Sequence, residues 1–264
     1  MNPFILAALT SLIVNSLFFA YAATKKTDVV TDLSYSLSFF LVSAILIFQN
    51  WSSGLAALLP AVLTMLWALR LGGYLFTRIH RIKVDHRFDD KRGDPLKFAS
   101  FWILQAIAVA VIILPVAASV ASPATPRSFG AFEIVGIVLW IAGFVIEAVA
   151  DAQKSAFKYA GKPSFIRSGL WRYSRHPNYF GEALLWWALF VYVVPALSGL
   201  LFLSVLGPVF ITLLLLYVSG IPLLEKSADE KYGSDPAYVE YKRSTSIFIP
   251  LPPKRAAAKG ASDA

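Results

Sequence analysis

The chain has 264 residues, of which 57% are hydrophobic and 15% charged, and it carries a formal net charge of +8 and no cysteine. A soluble domain has about 25% charged residues, so this chain has too little polar surface to cover itself in water. The missing cysteines exclude a disulfide scaffold, a thiolate metal site and a cysteine nucleophile, and the composition indicates a membrane protein.

Seven apolar segments approach the length of about 20 residues that a helix needs to cross a bilayer. We expect the first to be a retained helix rather than a signal peptide, because no basic residue precedes its apolar run whereas Lys25 and Lys26 follow it. The runs are continuous and lack the alternation of a β-barrel, so they predict an all-α polytopic membrane protein. The segments are residues 3–22, 31–49, 54–77, 98–120, 129–150, 181–197 and 199–223.

The basic residues predict the orientation of these helices. All 24 Lys and Arg except Arg70 and Arg127 follow the odd-numbered segments or lie beyond the seventh. The positive-inside rule then puts the N-terminus in the periplasm and the C-terminus in the cytoplasm of a bacterial inner membrane. Because the charges are divided among four segments, they favour anionic lipid over nucleic acid as the partner.

The domain organisation is predicted to be simple. No repeat divides the chain, so residues 1–250 are expected to form a single seven-helix domain, and the chain is expected to be monomeric. Residues 251–264 are rich in Pro, Ala and charge and predict a disordered tail.

Ionisable side chains at the ends of the apolar segments collect on the predicted cytoplasmic side. For each one, an interfacial charge or an interhelical ion pair is the alternative to a functional role. Seven such groups on one side of the membrane favour a site that opens to the cytoplasm. They are Asp28, Asp32, Arg70, Glu147, Asp151, Glu182 and Glu225.

The segment EAVADAQKSAFK carries Glu147, Asp151, Lys154 and Lys158 at spacings of 4, 3 and 4 residues. On a helix these spacings form one stripe. The alternative is a run of ion pairs on a solvated helix end, but Glu147 lies about one turn inside the apolar segment. We therefore expect the stripe to line a polar cavity.

The densest motif is SGLWRYSRHPNYFGEALLWW, residues 168–187. Arg172, Arg175 and His176 are potential cations before a predicted helix start at which Asn178 is a candidate cap. Cations beside a helix N-terminus favour a phosphate. A basic loop on anionic lipid is the alternative, yet the motif has more hydrogen-bonding side chains than a lipid surface requires: Tyr173, His176, Asn178, Tyr179 and Glu182. A small anionic cofactor fits better.

The segment LWALRLGGYLFTR places Arg70, Tyr74 and Arg78 at i,i+4 intervals, with Gly72 and Gly73 between them. The glycines predict a close helix approach. Tyr74 on its own is also compatible with an aromatic belt at the membrane interface.

The sequence lacks the motifs of several other functions. The following loop, RIHRIKVDHRFDDKRGD, alternates charges without metal-ligand spacing, so no metal site is predicted. No GxGxxG, GxxxxGK[ST] or GxSxG motif occurs, which leaves a Rossmann domain, a P-loop and an α/β-hydrolase without support.

The motif GLWRYSRHPNYFGE, with EAVADAQKSAFK before it and YVEYKRSTSIFIP after it, resembles bacterial membrane proteins related to the steroid 5α-reductase C-terminal domain. The likeness covers most of residues 60–250. It implies a seven-helix membrane enzyme that uses NADPH to reduce the C=C bond of a lipophilic enone such as a 3-oxo-Δ4 steroid.

The resemblance also assigns roles. It matches Asp151 to the acid that contacts the cofactor, Asn178 to the amide on the nicotinamide side and Glu182 to the acid beside it. It matches Tyr74 to the tyrosine that hydrogen-bonds the substrate ketone, with Asp32 nearest to a catalytic glutamate of animal enzymes. The expected catalytic residues are Tyr74 and Asp32, and the expected cofactor-binding residues are Glu147, Asp151, Lys154, Lys158, Arg167, Arg172, Tyr173, Arg175, His176, Asn178, Glu182 and Tyr241.

Two alternatives stay open. Isoprenylcysteine and phospholipid methyltransferases, which use S-adenosylmethionine, share the RHPxYxG signature but usually carry a Glu–Glu pair where the last helix meets the cytoplasm. This chain has Glu225–Lys226 there. The second alternative is a non-enzymatic membrane protein that binds sterols or isoprenoids.

Overall fold

A computed structural model of the chain describes residues 1–27, 29–82, 94–121, 129–161 and 164–254. Asp28, Arg127, residues 83–93 of the charged loop and residues 255–264 of the predicted tail lie outside them. The α-helices are α1 (Pro3–Lys25), α2 (Thr31–Gln49), α3 (Leu55–Ile82), α4 (Pro95–Ile112), α5 (Leu114–Ala121), α6 (Ala131–Tyr159), α7 (Pro177–Val193), α8 (Leu206–Leu213), α9 (Ile221–Tyr232) and α10 (Pro236–Ser244).

The described residues form no β-strand, and the prediction of an all-α protein with several membrane-spanning helices is confirmed for them. Within these ranges six helical segments are long and apolar enough to cross a membrane, or seven if α4 and α5 count as one span with a 43° bend. The bend falls next to Pro115, which has no backbone N–H for the helical ladder. The orientation of the termini stays a prediction.

The helix ends differ from those predicted. α6 continues to Tyr159, and the last apolar region runs from Gly199 through a π-helical turn, Leu214–Val218, to Tyr232. α7 begins at Pro177, whose fixed φ suits the first helical position, and the His176 carbonyl accepts from the Phe180 N–H at 3.1 Å. Asn178 therefore lies inside the first turn of α7, and its prediction as a cap is wrong.

The described chain groups into two compact units. The first unit comprises Met1–Ile137 with Trp186–Ile211, and the second comprises Val138–Leu185 with Thr212–Ala264. Each unit thus combines two separate segments of the sequence.

The first unit has an aromatic core and a polar network. The rings of Phe39, Trp67 and Trp186 pack with centroids 5.1–5.2 Å apart. Between helices, the amide of Gln105 donates to Asn15 Oδ1 at 2.7 Å and to Ser34 Oγ at 2.8 Å. Hydrogen bonds of this kind hold helices together in membranes, where apolar burial gives no preference for protein over lipid.

In the second unit, α6 and α7 approach closely at Gly143 and Gly181. A Cβ added to Gly143 would lie 2.7 Å from the Gly181 carbonyl oxygen and 2.8 Å from the Leu185 nitrogen. A Cβ on Gly181 would lie 2.6 Å from the Glu147 nitrogen. Only hydrogen at both positions allows these backbones to touch, as in other glycine-mediated helix contacts.

We expect the Gly143→Ala substitution to lower the melting temperature of the detergent-purified protein. The added methyl group meets backbone rather than a movable side chain, and overpacking of this kind costs about 1–3 kcal/mol. The matched control is Gly73→Ala in α3, where an added Cβ has no atom within 4 Å. That variant should be unchanged or more stable by up to about 1 kcal/mol. Equal melting temperatures for the two variants would contradict the close approach.

Candidate functional site

The predicted stripe on α6 lies on one continuous helix, and its burial falls along its length. The carboxylates of Glu147 and Asp151 are buried, with residue exposures of 2% and 4%. Lys154 is half-buried and Lys158 is exposed. The stripe therefore runs from a buried acidic part to a solvated basic end.

The buried part of the stripe contacts the first turn of α7. The side-chain amide of Asn178 donates to Asp151 Oδ1 at 3.1 Å. Glu182, one turn further along α7, is also buried, with 8% exposure. The residues that the resemblance matches to cofactor contacts thus include a directly hydrogen-bonded pair on two helices.

The loop before α7 packs on the same part of α6. Trp171 Nε1 donates to the Ala150 carbonyl at 3.1 Å, and the Lys154 ammonium lies 4.9 Å from the centre of the Trp171 ring. Gln153 accepts from the Leu170 N–H at 2.9 Å. Gly169 has a φ of +63°, which favours glycine, and a Cβ there would displace the end of the Gln153 side chain, 2.5 Å away.

Glu225 of α9 contacts both Arg175 and His176 of the RHP motif, residues 175–177. It forms an ion pair with Arg175, and its Oε1 lies 2.8 Å from His176 Nε2. The Arg175 side chain is only 11% exposed. A buried cation that already has a carboxylate partner is poorly suited to bind phosphate, so this pair argues against the predicted role of Arg175.

Burial lowers the pKa of His176, and the Glu225 carboxylate opposes this shift without cancelling it. The neutral imidazole donates from Nε2, because its carboxylate neighbour can only accept. His176 Nδ1 is then an acceptor, and it has no hydrogen-bond partner among the described residues. A buried acceptor without a partner is suited to a donor group of a ligand or to a water molecule.

Arg167 and Arg172 are exposed and line an open cavity of about 290 Å³ in the second unit. Burial raises the pKa of Tyr241 in its wall, so the phenol stays protonated and donates to the Trp171 carbonyl at 2.7 Å. Tyr173 is 42% exposed. The cavity is lined by Arg167, Arg172, Ala237, Glu240, Tyr241, Ser244, Thr245 and Pro253, a set without any member of the α6 stripe.

The predicted catalytic pair lies in the first unit. Tyr74 is half-buried on α3, with the Arg70 guanidinium 5.8 Å from its ring centre. Asp32 Oδ2 lies 2.7 Å from an Arg78 nitrogen. This ion pair joins the first turn of α2 to α3.

Of the two glycines before Tyr74, only Gly72 lies at the predicted close approach between helices. An added Cβ at Gly72 would meet Ser36 Oγ of α2 at 2.7 Å, whereas Gly73 faces open space.

Some residues of the second unit were missed because their partners are distant in the sequence. Ser174, fully buried, accepts from the His176 N–H at 3.1 Å and donates to the Phe248 carbonyl at 2.7 Å. Lys242 Nζ lies 2.6 Å from Asp229 Oδ1 and 3.7 Å from Glu225 Oε2. No local pattern in the sequence signals the contact of Ser174 with Phe248 or those of Lys242 with Asp229 and Glu225.

The sequence resembles known proteins along most of its length. The profile of the family described as "Protein of unknown function (DUF1295)" matches residues 18–245. The chain belongs to the DUF1295 family. It is similar to a Schizosaccharomyces pombe protein named "Uncharacterized protein C594.04c", with 25% identity over 94% of this chain and 80% of that protein. No solved structure matches the chain significantly. The matched range includes both the α6 stripe and the RHP motif.

We expect the stability of the wild-type protein to fall more steeply between pH 7.5 and 5.5 than that of His176→Gln. The folded pKa of His176 is below its unfolded value, so the unfolded chain binds the proton more readily. Stability is therefore complete above the unfolded pKa of about 6.5 and is lost as the pH falls towards the folded pKa, by at most about 1.4 kcal/mol per pH unit. Melting temperatures in detergent measure both slopes. Glutamine keeps a donor for Glu225, and the other two histidines are common to both proteins, so equal slopes would contradict the shift.

Proposed function

We propose that the chain is a membrane reductase that uses NADPH to reduce the C=C bond of a lipophilic enone, with a 3-oxo-Δ4 steroid as the representative substrate. The observation that carries the proposal is the hydrogen bond of 3.1 Å between Asn178 and Asp151. These are the two residues that the resemblance matches to the nicotinamide side and to the cofactor acid. The apolar helices suit a substrate that arrives from the bilayer.

The residues of the second unit fit the chemistry of NADPH. Its phosphates need accessible cations, and the exposed Arg167 and Arg172 line an open cavity. Lys158 adds an exposed cation. Asn178 and Glu182 would hold the carboxamide end, and the buried Nδ1 of His176 is an acceptor for a ligand donor. Planar guanidinium groups suit the additional 2′-phosphate, so we expect a preference for NADPH over NADH.

The chain's own residues supply the remaining chemistry. When bound, NADPH provides the hydride that an enone reduction consumes. Tyr74 would donate a hydrogen bond to the carbonyl oxygen, where negative charge builds. Asp32, which is paired with Arg78 at 2.7 Å, would either share this task with Tyr74 or orient the tyrosine. The proton for the α-carbon would come from Tyr74, from Asp32 or from water.

A second candidate is a methyltransferase that uses S-adenosylmethionine. The observation that favours it is the contact of Glu225 with Arg175 and His176, since a glutamate from a late helix joins the RHP motif here. Against it, Lys226 stands where such methyltransferases usually have a second glutamate, and its side chain is 77% exposed.

The two candidates predict different stabilising ligands. A ligand at about 100 times its Kd adds about 2.7 kcal/mol to the stability of the folded state. We expect NADPH, and not S-adenosylmethionine, to raise the melting temperature of the detergent-purified protein. A rise with S-adenosylmethionine alone would transfer the proposal to the methyltransferase, and no rise with either would favour a non-enzymatic role.

Tyr74→Phe should lower the kcat for a 3-oxo-Δ4 steroid by about 10²–10³, the usual cost of losing one hydrogen-bond donor to a developing oxyanion. NADPH should still raise the melting temperature of this variant, because the phenol has no predicted contact with the cofactor. The matched control is Tyr21→Phe on α1, whose tyrosine is 51% exposed and carries no predicted role. A Tyr74→Phe variant with the wild-type rate would assign Tyr74 to the aromatic belt.

Arg172→Ala should raise the KM for NADPH about tenfold, the effect of losing one hydrogen bond to a charged group, and change the KM for NADH much less. Arg243→Ala is the control, since Arg243 is an exposed cation already paired with Glu240 at 2.7 Å. Steady-state kinetics with both nucleotides measure the difference. Equal effects of Arg172→Ala on the two nucleotides would exclude Arg172 from the 2′-phosphate site.

A further inference from the structure

Residues 246–251, here called the C-terminal strap, are hydrogen-bonded to the loop that precedes α7. The Arg175 N–H donates to the Ser246 carbonyl at 2.8 Å, and the Leu251 N–H donates to the Tyr173 carbonyl at 3.0 Å. Between them, Ser174 Oγ donates to the Phe248 carbonyl at 2.7 Å. The strap is therefore fixed along its length to Tyr173–Arg175.

These contacts place the strap at the end of a candidate membrane span. The span containing α7 begins at Pro177, two residues after Arg175. The ring of Phe248 lies 5.7 Å from the ring of Phe180, in the first turn of that span. A segment held at this point lies at the level where a helix passes from the headgroups into the acyl chains.

The side chains of the strap alternate in exposure. Ile247, Ile249 and Leu251 are 42%, 54% and 52% exposed, whereas Phe248 between them is partly buried against α7. Residues 247–249 are a bend rather than a helix or a strand, and the three aliphatic side chains form the exposed apolar face of this bent segment. These residues lie outside the candidate spans, so exposure to lipid along a spanning helix does not account for them.

The charges near this face favour an anionic surface. Lys254 follows the strap and is exposed, and Arg172 precedes Tyr173 and is also exposed. Each Lys or Arg near an anionic leaflet contributes about 1 kcal/mol of attraction. An aliphatic face flanked by cations is the composition of a segment that lies in the membrane interface.

We propose that the C-terminal strap is an interfacial membrane anchor, which inserts Ile247, Ile249 and Leu251 at the headgroup boundary of an anionic bilayer. The strap is hydrogen-bonded to the backbone of Tyr173–Arg175. Pro253, just beyond the strap, lines the cavity with Arg167 and Arg172. Contact with the bilayer thus holds one wall of that cavity. The proposal does not depend on which ligand the cavity binds.

The absence of cysteine from the chain allows a direct test by single-cysteine labelling. Ile247→Cys, Ile249→Cys and Leu251→Cys, each labelled with a bimane fluorophore, would be reconstituted into vesicles of phosphatidylcholine and phosphatidylglycerol that contain a lipid with a nitroxide near the top of its acyl chain. The control is Glu240→Cys on α10, whose native side chain is 45% exposed. All four positions are at the surface, so labelling leaves the core intact.

We expect nitroxide quenching at the three strap positions to be at least about twofold stronger than at residue 240, because interfacial segments bury their apolar face in the headgroup and acyl boundary. Quenching at residues 247, 249 and 251 that equals the control, as when a protein partner or water covers this face, would overturn the proposal. In pure phosphatidylcholine the quenching should weaken. Equal quenching in both lipids would overturn the assignment of an anionic surface.

Discussion

The close approach of α6 and α7 at Gly143 and Gly181 is the constraint on which the candidate site depends. A Cβ on Gly181 would lie 2.6 Å from the Glu147 nitrogen, so the two backbones are in contact where the acidic stripe begins. One turn further, this separation is short enough for the side chain of Asn178 to reach Asp151 directly. A larger residue at either glycine would separate the helices and break that hydrogen bond. The helix contact, rather than any single polar residue, therefore determines the geometry of the site.

The cations around this contact differ in what they can bind, although the sequence presents them as one basic motif. Arg175 is buried against Glu225, and Lys154 lies over the Trp171 ring. Arg167 and Arg172 line an open cavity instead. A cation that is already paired with a carboxylate holds the loop in place, whereas an exposed guanidinium can exchange its bound water for phosphate. The structure thus separates the charges that position the RHP motif from those that are able to bind an anionic ligand.

The fold was predicted better than the site because its signals are local. Long apolar runs indicate spanning helices wherever they occur, and α6 continues beyond its predicted apolar segment, residues 129–150, to Tyr159. The i,i+4 stripe could likewise be predicted from one segment. The contact of Glu225 with Arg175 joins residues 50 positions apart, and a single sequence contains no signal for such a pair. The buried hydrogen bond from Gln105 to Asn15 was missed for the same reason.

The measurement that tests the central claim most directly is a double-mutant cycle on the Asp151–Asn178 hydrogen bond, with the Kd for NADPH as the readout. Asp151→Asn puts an amide opposite the Asn178 amide, and Asn178→Asp puts a carboxylate opposite the Asp151 carboxylate. The double exchange restores an amide opposite a carboxylate. If this bond shapes the cofactor site, both single variants bind NADPH more weakly and the double variant binds more tightly than the sum of their losses predicts, by a coupling of about 0.5–3 kcal/mol. Losses that simply add would show that the two residues act independently and would contradict the account.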